Sequence, residues 1–292
     1  MLPLKKCALE GARRLSLGPH PDRARRDAET LLLCVVGKDK AWLMTHGDAE
    51  LSDDQAENYA RLLERRFRGE PLQYILGETE FYGLPFLVTP DVLIPRPETE
   101  HLVEKALSLA AGFVEPRTSS LRIVDVGTGS GAIAVALARK LAQASIAASV
   151  TAIDLSAKAL AIAAENAKRN RVSLRFLSGD LLASVTEERF EIVVSNPPYV
   201  PQVDRDSLSV EVREYEPELA LFAGDDGLGI YRRLIPAAYA ALVPGGFVAL
   251  EIGFGQQEPF REFLAESGFE RIEFIPDLQG IARVACAQSA HD

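Results

Sequence analysis

An apolar run, Ile192-Val193-Val194, leads almost directly into Asn196-Pro197-Pro198-Tyr199. Two consecutive prolines cannot continue a sheet ladder, because neither has an N–H to donate. Each also pushes the residue before it toward extended backbone. The result is a stiff strand end presenting one side-chain amide, two free carbonyls and one aromatic ring. Such a set suits a planar NH2 conjugated to a carbonyl or a ring, whose delocalised lone pair makes it a poor nucleophile. The Asn196 side-chain oxygen and the Pro197 carbonyl would each accept one of its N–H hydrogens, turning the lone pair toward an electrophile. Pro198 helps fix the direction of these acceptors, and Tyr199 can stack on the flat group. No strong base is required, since the nitrogen becomes acidic only as it is alkylated.

A second set of residues could hold the electrophile. In "LRIVDVGTGSGAIAVALARKL" a glycine-rich turn, Gly127 to Gly131, stands between a buried strand and an apolar helix. Glycines there let the backbone pass close to a ligand, with a helix N-terminus aimed at it. By itself the turn reads equally well as tight strand–helix packing, and it departs from the GxGxxG dinucleotide fingerprint. Asp154 ends the next strand and is placed to accept from both hydroxyls of a ribose; it could instead cap the following helix, a role open to Ser156. Asp180, in "FLSGDLL", ends a third strand where a carboxylate can accept from an adenine amino group. Together they point to a nucleoside site, either for a dinucleotide or for S-adenosylmethionine. The strand end at Asn196 favours the latter, and with it methyl transfer to a planar amine.

These residues need a sheet to carry them. From residue 121 onward strands and helices alternate, with strands expected at 121–126, 149–153, 173–177, 190–195, 246–252, 269–275 and 281–287. That pattern argues for a largely parallel sheet covered on both faces. Before residue 77 the apolar residues recur at helical spacing, interrupted by Gly18-Pro19, Gly37 and Gly69, with "LSDDQ" supplying capping residues. The stretch 78–100 is rich in aromatic and β-branched residues and reads as a hairpin with Gly83 and Pro85 at its turn. Pro95 and Pro97 close it, and "PETEHLVEKALSLA" starts a helix.

Composition narrows the classes. The 292 residues contain no apolar run long enough to span a bilayer, and the basic N-terminus lacks the uninterrupted apolar core of a signal peptide. An Arg-rich transit peptide is the weaker alternative. Three widely spaced cysteines suggest a reducing compartment, and His20, His46, His101 and His291 offer no metal-ligand spacing. No metal is expected. Of 32 basic and 42 acidic residues, 13 of each fall in residues 1–78, leaving 19 against 29 in the remainder, which carries the whole net charge of −10. An acidic working domain argues against duplex DNA as partner. The densest basic cluster, Arg61, Arg65 and Arg68, shares one helix face and reads as a solvated surface, with a partner contact the minority reading.

Over nearly its whole length the chain resembles the HemK/PrmC family of release-factor glutamine methyltransferases. The resemblance is carried by "GEPLQYILGETEFYGLPFLVTPDVLIPRPETE", "DVGTGSGAIAVALA", "AIDLSAKALAIAAENA", "SNPPYVP", "EPELALFAGDDGLGIYRRLI" and "PGGFVALEIG", in that order. The glycine turn and NPPY are shared by many amino-methyltransferases; "IPRPETE" and the "EPELAL" segment are more specific. The resemblance implies an α/β class I S-adenosylmethionine-dependent methyltransferase, with a Rossmann-like seven-stranded sheet whose last strand is antiparallel. It also implies a small N-terminal helical bundle. Residues 1–77 would dock the substrate, 78–97 form a hairpin linker, and 98–292 form the catalytic domain. Carried over by motif, Gly127, Thr128, Gly129, Ser130, Gly131, Asp154, Asp180, Leu181 and Asn196 would bind the cofactor. Asn196, Pro197, Pro198 and Tyr199 would hold the substrate glutamine. Some relatives have an aromatic residue at the Leu181 place; leucine covers an adenine face by dispersion alone. Arg96, Glu98, Glu100 and Glu251 lie near the site without an assigned role.

The implied reaction converts S-adenosyl-L-methionine to S-adenosyl-L-homocysteine and methylates the GGQ glutamine of class I peptide-chain release factors. The enzyme is expected to be a cytoplasmic monomer, with no nucleic acid or membrane as direct partner. Two rivals share the acceptor chemistry: a ribosomal-protein glutamine methyltransferase and a DNA adenine-N6 methyltransferase acting on a flipped base. A nicotinamide oxidoreductase would need the absent GxGxxG turn and would leave NPPY unexplained. A non-catalytic module is disfavoured by intact Asp154 and Asn196.

Overall fold

The computed structural model describes residues 3–113 and 120–290; His291 lies outside them. The chain divides into two units, one of residues up to Glu78 together with Leu208–Tyr215, the other of Thr79–Ser207 and the chain from Glu216 on.

In the first unit, helices α1 (Leu4–Leu15), α2 (Ala24–Val36), α3 (Lys40–Thr45), α4 (Asp53–Phe67) and α5 (Leu72–Leu76) follow one another. Their ends obey local chemistry. Gly37 closes α2 in the left-handed conformation at φ 63°, and Ser52 with Gln55 forms a reciprocal capping box at the start of α4. The apolar stripes bury Leu4, Leu15, Leu31, Leu32, Leu62 and Leu63 in one core. On α4, Arg61, Arg65 and Arg68 bond locally to Asn58, Glu70 and Glu64. Arg66 is different: it is 2% exposed and donates to Asp27 at 2.7 Å, itself 1% exposed.

The second unit begins with a two-stranded ribbon, β1 (Glu78–Phe81) and β2 (Leu84–Leu87). Its turn is Tyr82-Gly83, both at positive φ (53° and 70°), the geometry that a two-residue hairpin requires. Pro85 therefore stands inside β2 rather than in the turn. A strand of a two-stranded ribbon has a free edge and tolerates a missing N–H there. The expected helix at 97 opens with a 3-10 turn, Pro97–Thr99, before α6 (Glu100–Gly112). Glu100 accepts the Tyr82 N–H at 2.8 Å and so ties the hairpin turn to that helix.

Then come β3 (Leu121–Val126), α7 (Ala132–Gln143), β4 (Ala148–Asp154), α8 (Ala157–Arg169), β5 (Arg175–Ser178) and β6 (Phe190–Ser195). After α9 (Val210–Tyr215), which belongs to the helical unit, the order is α10 (Gly229–Ala241), β7 (Leu242–Glu251), α11 (Gln257–Glu266), β8 (Phe269–Pro276) and β9 (Ala282–Ser289). Seven strands form one sheet in the order β5-β4-β3-β6-β7-β9-β8, and β9 alone runs antiparallel to its neighbours. Strand β7 starts at Leu242, earlier than the sequence suggests, because a bulge absorbs Val243–Gly246 between two stretches of pairing with β6. Strands buried on both faces send successive residues to opposite cores. Val193 joins α10 and α11 on one side, while Ile192 and Val194 join α6 and α7 on the other. The chain leaves β3 outward through β4 and β5, then returns to β6 on the other flank, so β3 and β6 meet where the strand order reverses. Ligands of such sheets sit beyond the carboxyl ends of the strands at that reversal.

Candidate active site

At the end of β3 the backbone turns through Gly127, Gly129 and Gly131, with φ of 71°, 55° and 80°. The three do different things. A Cβ on Gly127 or Gly129 would meet no atom within 4 Å, whereas one on Gly131 would lie 3.0 Å from Ala163 Cβ. The first two glycines therefore border open space, and the third lets α7 pack on α8. Both spacers, Thr128 and Ser130, are buried and line the cavity of the site. Thr128 donates to Asp125 at 2.6 Å, and the Ser130 carbonyl accepts Asn166 Nδ2 at 2.8 Å.

A cavity of about 200 Å³ opens over these strand ends. Its wall includes the glycine turn, Asp154, Asp180, Leu181 and Asn196, together with the linker residues Asp91, Val92, Leu93, Pro95 and Arg96. Asp154 Oδ2 accepts the Gly129 N–H and Oδ1 the Ser156 N–H, each at 2.8 Å, which fixes the carboxylate and leaves lone pairs on both oxygens. The helix cap is supplied by Ser156, whose hydroxyl accepts the Ala159 N–H at 3.2 Å. Asp180 is half-exposed and pairs with Arg233 of α10. Leu181 holds a left-handed φ of 53°, an uncommon conformation for a branched side chain, and it borders the cavity.

Asn196, Pro197 and Pro198 line the same cavity. Asn196 Nδ2 donates to Thr99 Oγ1 at 3.1 Å. Tyr199 is not among the lining residues: its ring packs against the core shared by α10 and β7, and its carbonyl accepts Gln256 Nε2 at 3.2 Å. Burial raises its phenol pKa, with the nearby Glu251 adding to the effect. The chain beyond it is braced by the "EPELALFAG" segment. Val200 N–H donates to the Leu221 carbonyl at 2.9 Å, and Ala223 N–H to the Val200 carbonyl at 3.1 Å. A Cβ at Gly227 would fall 2.4 Å from the Tyr199 carbonyl oxygen, so only glycine fits against this strand end.

Asn166, Asp125 and Thr99 help shape the site without having stood out in the sequence, whereas Arg96 and Glu251, expected near it without a role, now show their partners. Asn166 of α8 is fully buried and holds β2 at both groups of Leu87, at 2.7 and 3.0 Å, as well as the Ser130 carbonyl. Arg96 grips Glu216 with two bonds of 2.7 and 2.8 Å, fastening the linker to the segment after the NPPY strand end. Asp125 is completely buried; desolvation pushes its pKa up to about 7 against the Thr128 bond, with Asp154 raising it further. Glu251, at the end of β7, is 2% exposed, and burial raises it to about 7 against the opposing effect of a hydrogen bond from Thr99. The signal for such residues is a strand-end position beside a motif, as for Asp154. Long-range partners such as Asn166 and Thr99 leave no local pattern.

Residues 10–77 match the PrmC N-terminal domain, and residues 106–212 match the methyltransferase small domain. A release factor glutamine methyltransferase of Koribacter versatilis is 42% identical over 261 residues, covering 89% of each chain. One from Salmonella typhimurium is 39% identical, covering 91% of this chain and 93% of its own. A solved methyltransferase structure from Pyrococcus furiosus, 19% identical, shares the fold with a TM-score of 0.50 over 72% of this chain and 91% of that one. With identity at this level running through both the helical and the catalytic regions, the chain belongs to the family of release factor glutamine methyltransferases.

Proposed function

We propose that the protein transfers a methyl group from S-adenosyl-L-methionine to the side-chain amide nitrogen of the GGQ glutamine of class I peptide-chain release factors. S-adenosyl-L-homocysteine is the by-product, and translation termination is modulated. The observation that carries this reading is the meeting of two strand ends at the reversal of strand order. The end of β3 is a glycine turn bordering open space, and the end of β6 brings Asn196, Pro197 and Pro198 to the same cavity.

The residues fit the cofactor. Open space over Gly127 and Gly129 admits close backbone approach, and Asp154 keeps lone pairs for two ribose hydroxyls. Asp180, shared with Arg233, can accept from an adenine amine while Leu181 covers the ring. When bound, the cofactor supplies an electrophilic methyl on a sulfonium. Asn196 Oδ1 and the Pro197 carbonyl take the two amide hydrogens of the glutamine, which orients the nitrogen and stabilises the charge it develops. Pro198 holds the direction of these acceptors. Tyr199 anchors the strand end through its partly buried ring. Residues 1–77 serve as the docking domain, with 78–97 as linker and 98–292 as catalytic domain. A substrate that works on the ribosome puts the reaction in the cytoplasm. Among the described residues no helix is long and apolar enough to cross a membrane.

The test is methyl incorporation from labelled S-adenosylmethionine into a purified release factor, beside its GGQ Gln→Ala variant, ribosomal protein and duplex DNA. Label confined to the unaltered factor supports the reading. Label in the ribosomal protein or DNA instead overturns the choice of substrate.

A further inference from the structure

Glu251 is an expensive residue to bury. Its carboxyl is 2% exposed, its Oε2 has no hydrogen-bond partner, and its other contact is the hydroxyl of Thr99, 3% exposed. A buried carboxylate with one oxygen unpaired costs stability that an apolar side chain of similar volume would not. Packing therefore gives no reason for it. Among the described residues, however, the hydrogen-bond partner of this carboxyl is Thr99, the residue that holds the Asn196 amide.

A side-chain amide has one accepting end and one donating end, and half a turn exchanges them. For a substrate NH2 only one orientation serves, with Oδ1 toward the substrate and Nδ2 away. The reverse would set N–H against N–H. A hydroxyl alone could stabilise either orientation, since it can donate or accept. A hydroxyl whose hydrogen is already given to a carboxylate can only accept. We propose that Thr99 and Glu251 are positioning residues for methyl transfer: Glu251 takes the Thr99 hydrogen, so Thr99 can only accept from Asn196 Nδ2, and the amide is locked with Oδ1 toward the substrate. The relay joins three separate pieces of chain, the 3-10 turn after the linker and the ends of β6 and β7. It rests on the reading of Asn196 given above.

The role is one of polarity, and the variants separate it from packing. Thr99→Val keeps the shape and removes the acceptor. Glu251→Gln keeps the size but offers NH2 as well as oxygen to the hydroxyl, so the direction of the relay is released. Thr99→Ser keeps the hydroxyl. Each is assayed with full-length protein, labelled S-adenosylmethionine and intact release factor, alongside the cofactor dissociation constant by calorimetry and the unfolding midpoint. Thr99→Val is expected to lower kcat about tenfold to a hundredfold, the scale for a misaligned reacting group. Glu251→Gln should lose somewhat less, and Thr99→Ser should restore most of the turnover. The cofactor dissociation constant should stay within about twofold throughout, since these groups act on the acceptor and not on the cofactor. Folded Thr99→Val with kcat within about twofold of the unaltered enzyme overturns the proposal. If that variant does not fold, Glu251→Gln decides on the same criterion. A parallel fall in cofactor affinity for every variant also overturns it, by pointing to general loosening. An unaltered enzyme that leaves the glutamine unmethylated would instead defeat the functional reading itself.

Discussion

Ser195 donates its hydroxyl to the Val126 carbonyl at 2.5 Å, tying the last residue of β6 to the last residue of β3. Each is the residue just before a loop of the site, Gly127 on one side and Asn196 on the other. Backbone pairing between these strands runs as far as Asp125 with Val194, so this bond continues the ladder by one step. Ser195→Ala would leave a buried carbonyl without its partner, at a cost of about 1–3 kcal/mol. It should also let the two loops drift apart. We expect a lower denaturation midpoint together with reduced turnover at saturating cofactor. An unchanged kcat would mean that the spacing of the loops is set elsewhere.

Asn196 and Asp154 should fail in different ways. Asn196→Ala removes an acceptor used as charge develops on the nitrogen, and kcat should fall by roughly a hundredfold with little change in cofactor affinity. Asp154→Ala removes ground-state contacts and frees the N–H groups of Gly129 and Ser156. It should raise the cofactor dissociation constant and leave turnover at saturation less affected. Equilibrium binding and steady-state rates on both variants distinguish the two. An Asp154→Ala defect confined to kcat would remove the ribose assignment.

In the helical unit, Arg66 bonds to Asp27 at 2.7 Å and to Glu211 at 2.5 Å, the latter from the Leu208–Tyr215 segment. Asp27→Ala would leave the buried guanidinium with Glu211 and the Glu70 carbonyl, so its cost should fall below the about 3–5 kcal/mol of a buried charge stripped of every partner. It should still destabilise this unit measurably, whereas Arg61→Ala on α4, whose side chain bonds to Asn58 at the surface, should change little. Chemical denaturation of the two variants side by side provides the check.

Two buried acids give the protein a pH dependence of definite sign. Glu251 and Asp125 are both raised to about 7 in the folded state, above their ordinary values of 4.5 and 3.8, chiefly by desolvation. The folded state then binds more protons than the unfolded one, and stability falls as pH rises. Their contribution is fully present below about pH 4 and is lost as pH climbs through 7. Around Glu251 stand Arg96 of the linker, Glu98 of the 3-10 turn after it and Arg283 of β9, with Tyr199 and Tyr231 close by. Each pKa unit corresponds to about 1.4 kcal/mol, so the Glu251 share is on the order of 3 kcal/mol. Glu251→Gln should flatten the fall in unfolding free energy between pH 5 and 8, relative to the unaltered protein, by about that much. A variant curve parallel to the original would show that Glu251 titrates normally.

Much of the catalytic unit was legible because its signals are local. Alternating apolar strands and amphipathic helices mark β3 through β9 to within a few residues, and each glycine or proline stop follows from its own backbone limits. The boundaries that moved did so for tertiary reasons. Strand β7 begins early because β6 offers a partner on both sides of a bulge, and Pro85 enters β2 because that ribbon has a free edge. The departure of Leu208–Tyr215 to the helical unit has no local mark at all.

By itself the sequence determined which chemical groups end the strands: a glycine turn, two carboxylates and an amide followed by prolines. It did so because strand ends are set by residues within a few positions of one another. Only the tertiary structure decided how those groups are held. Thr99 meets Asn196 across 97 residues, Arg96 meets Glu216 across 120, and Asp180 meets Arg233 across 53. Such pairs depend on strand order and register, and in a parallel sheet many orders satisfy the same alternating pattern. The choice among them is made by packing, which also set Tyr199 against the core of α10 and β7 and brought the Glu251 carboxyl to Thr99.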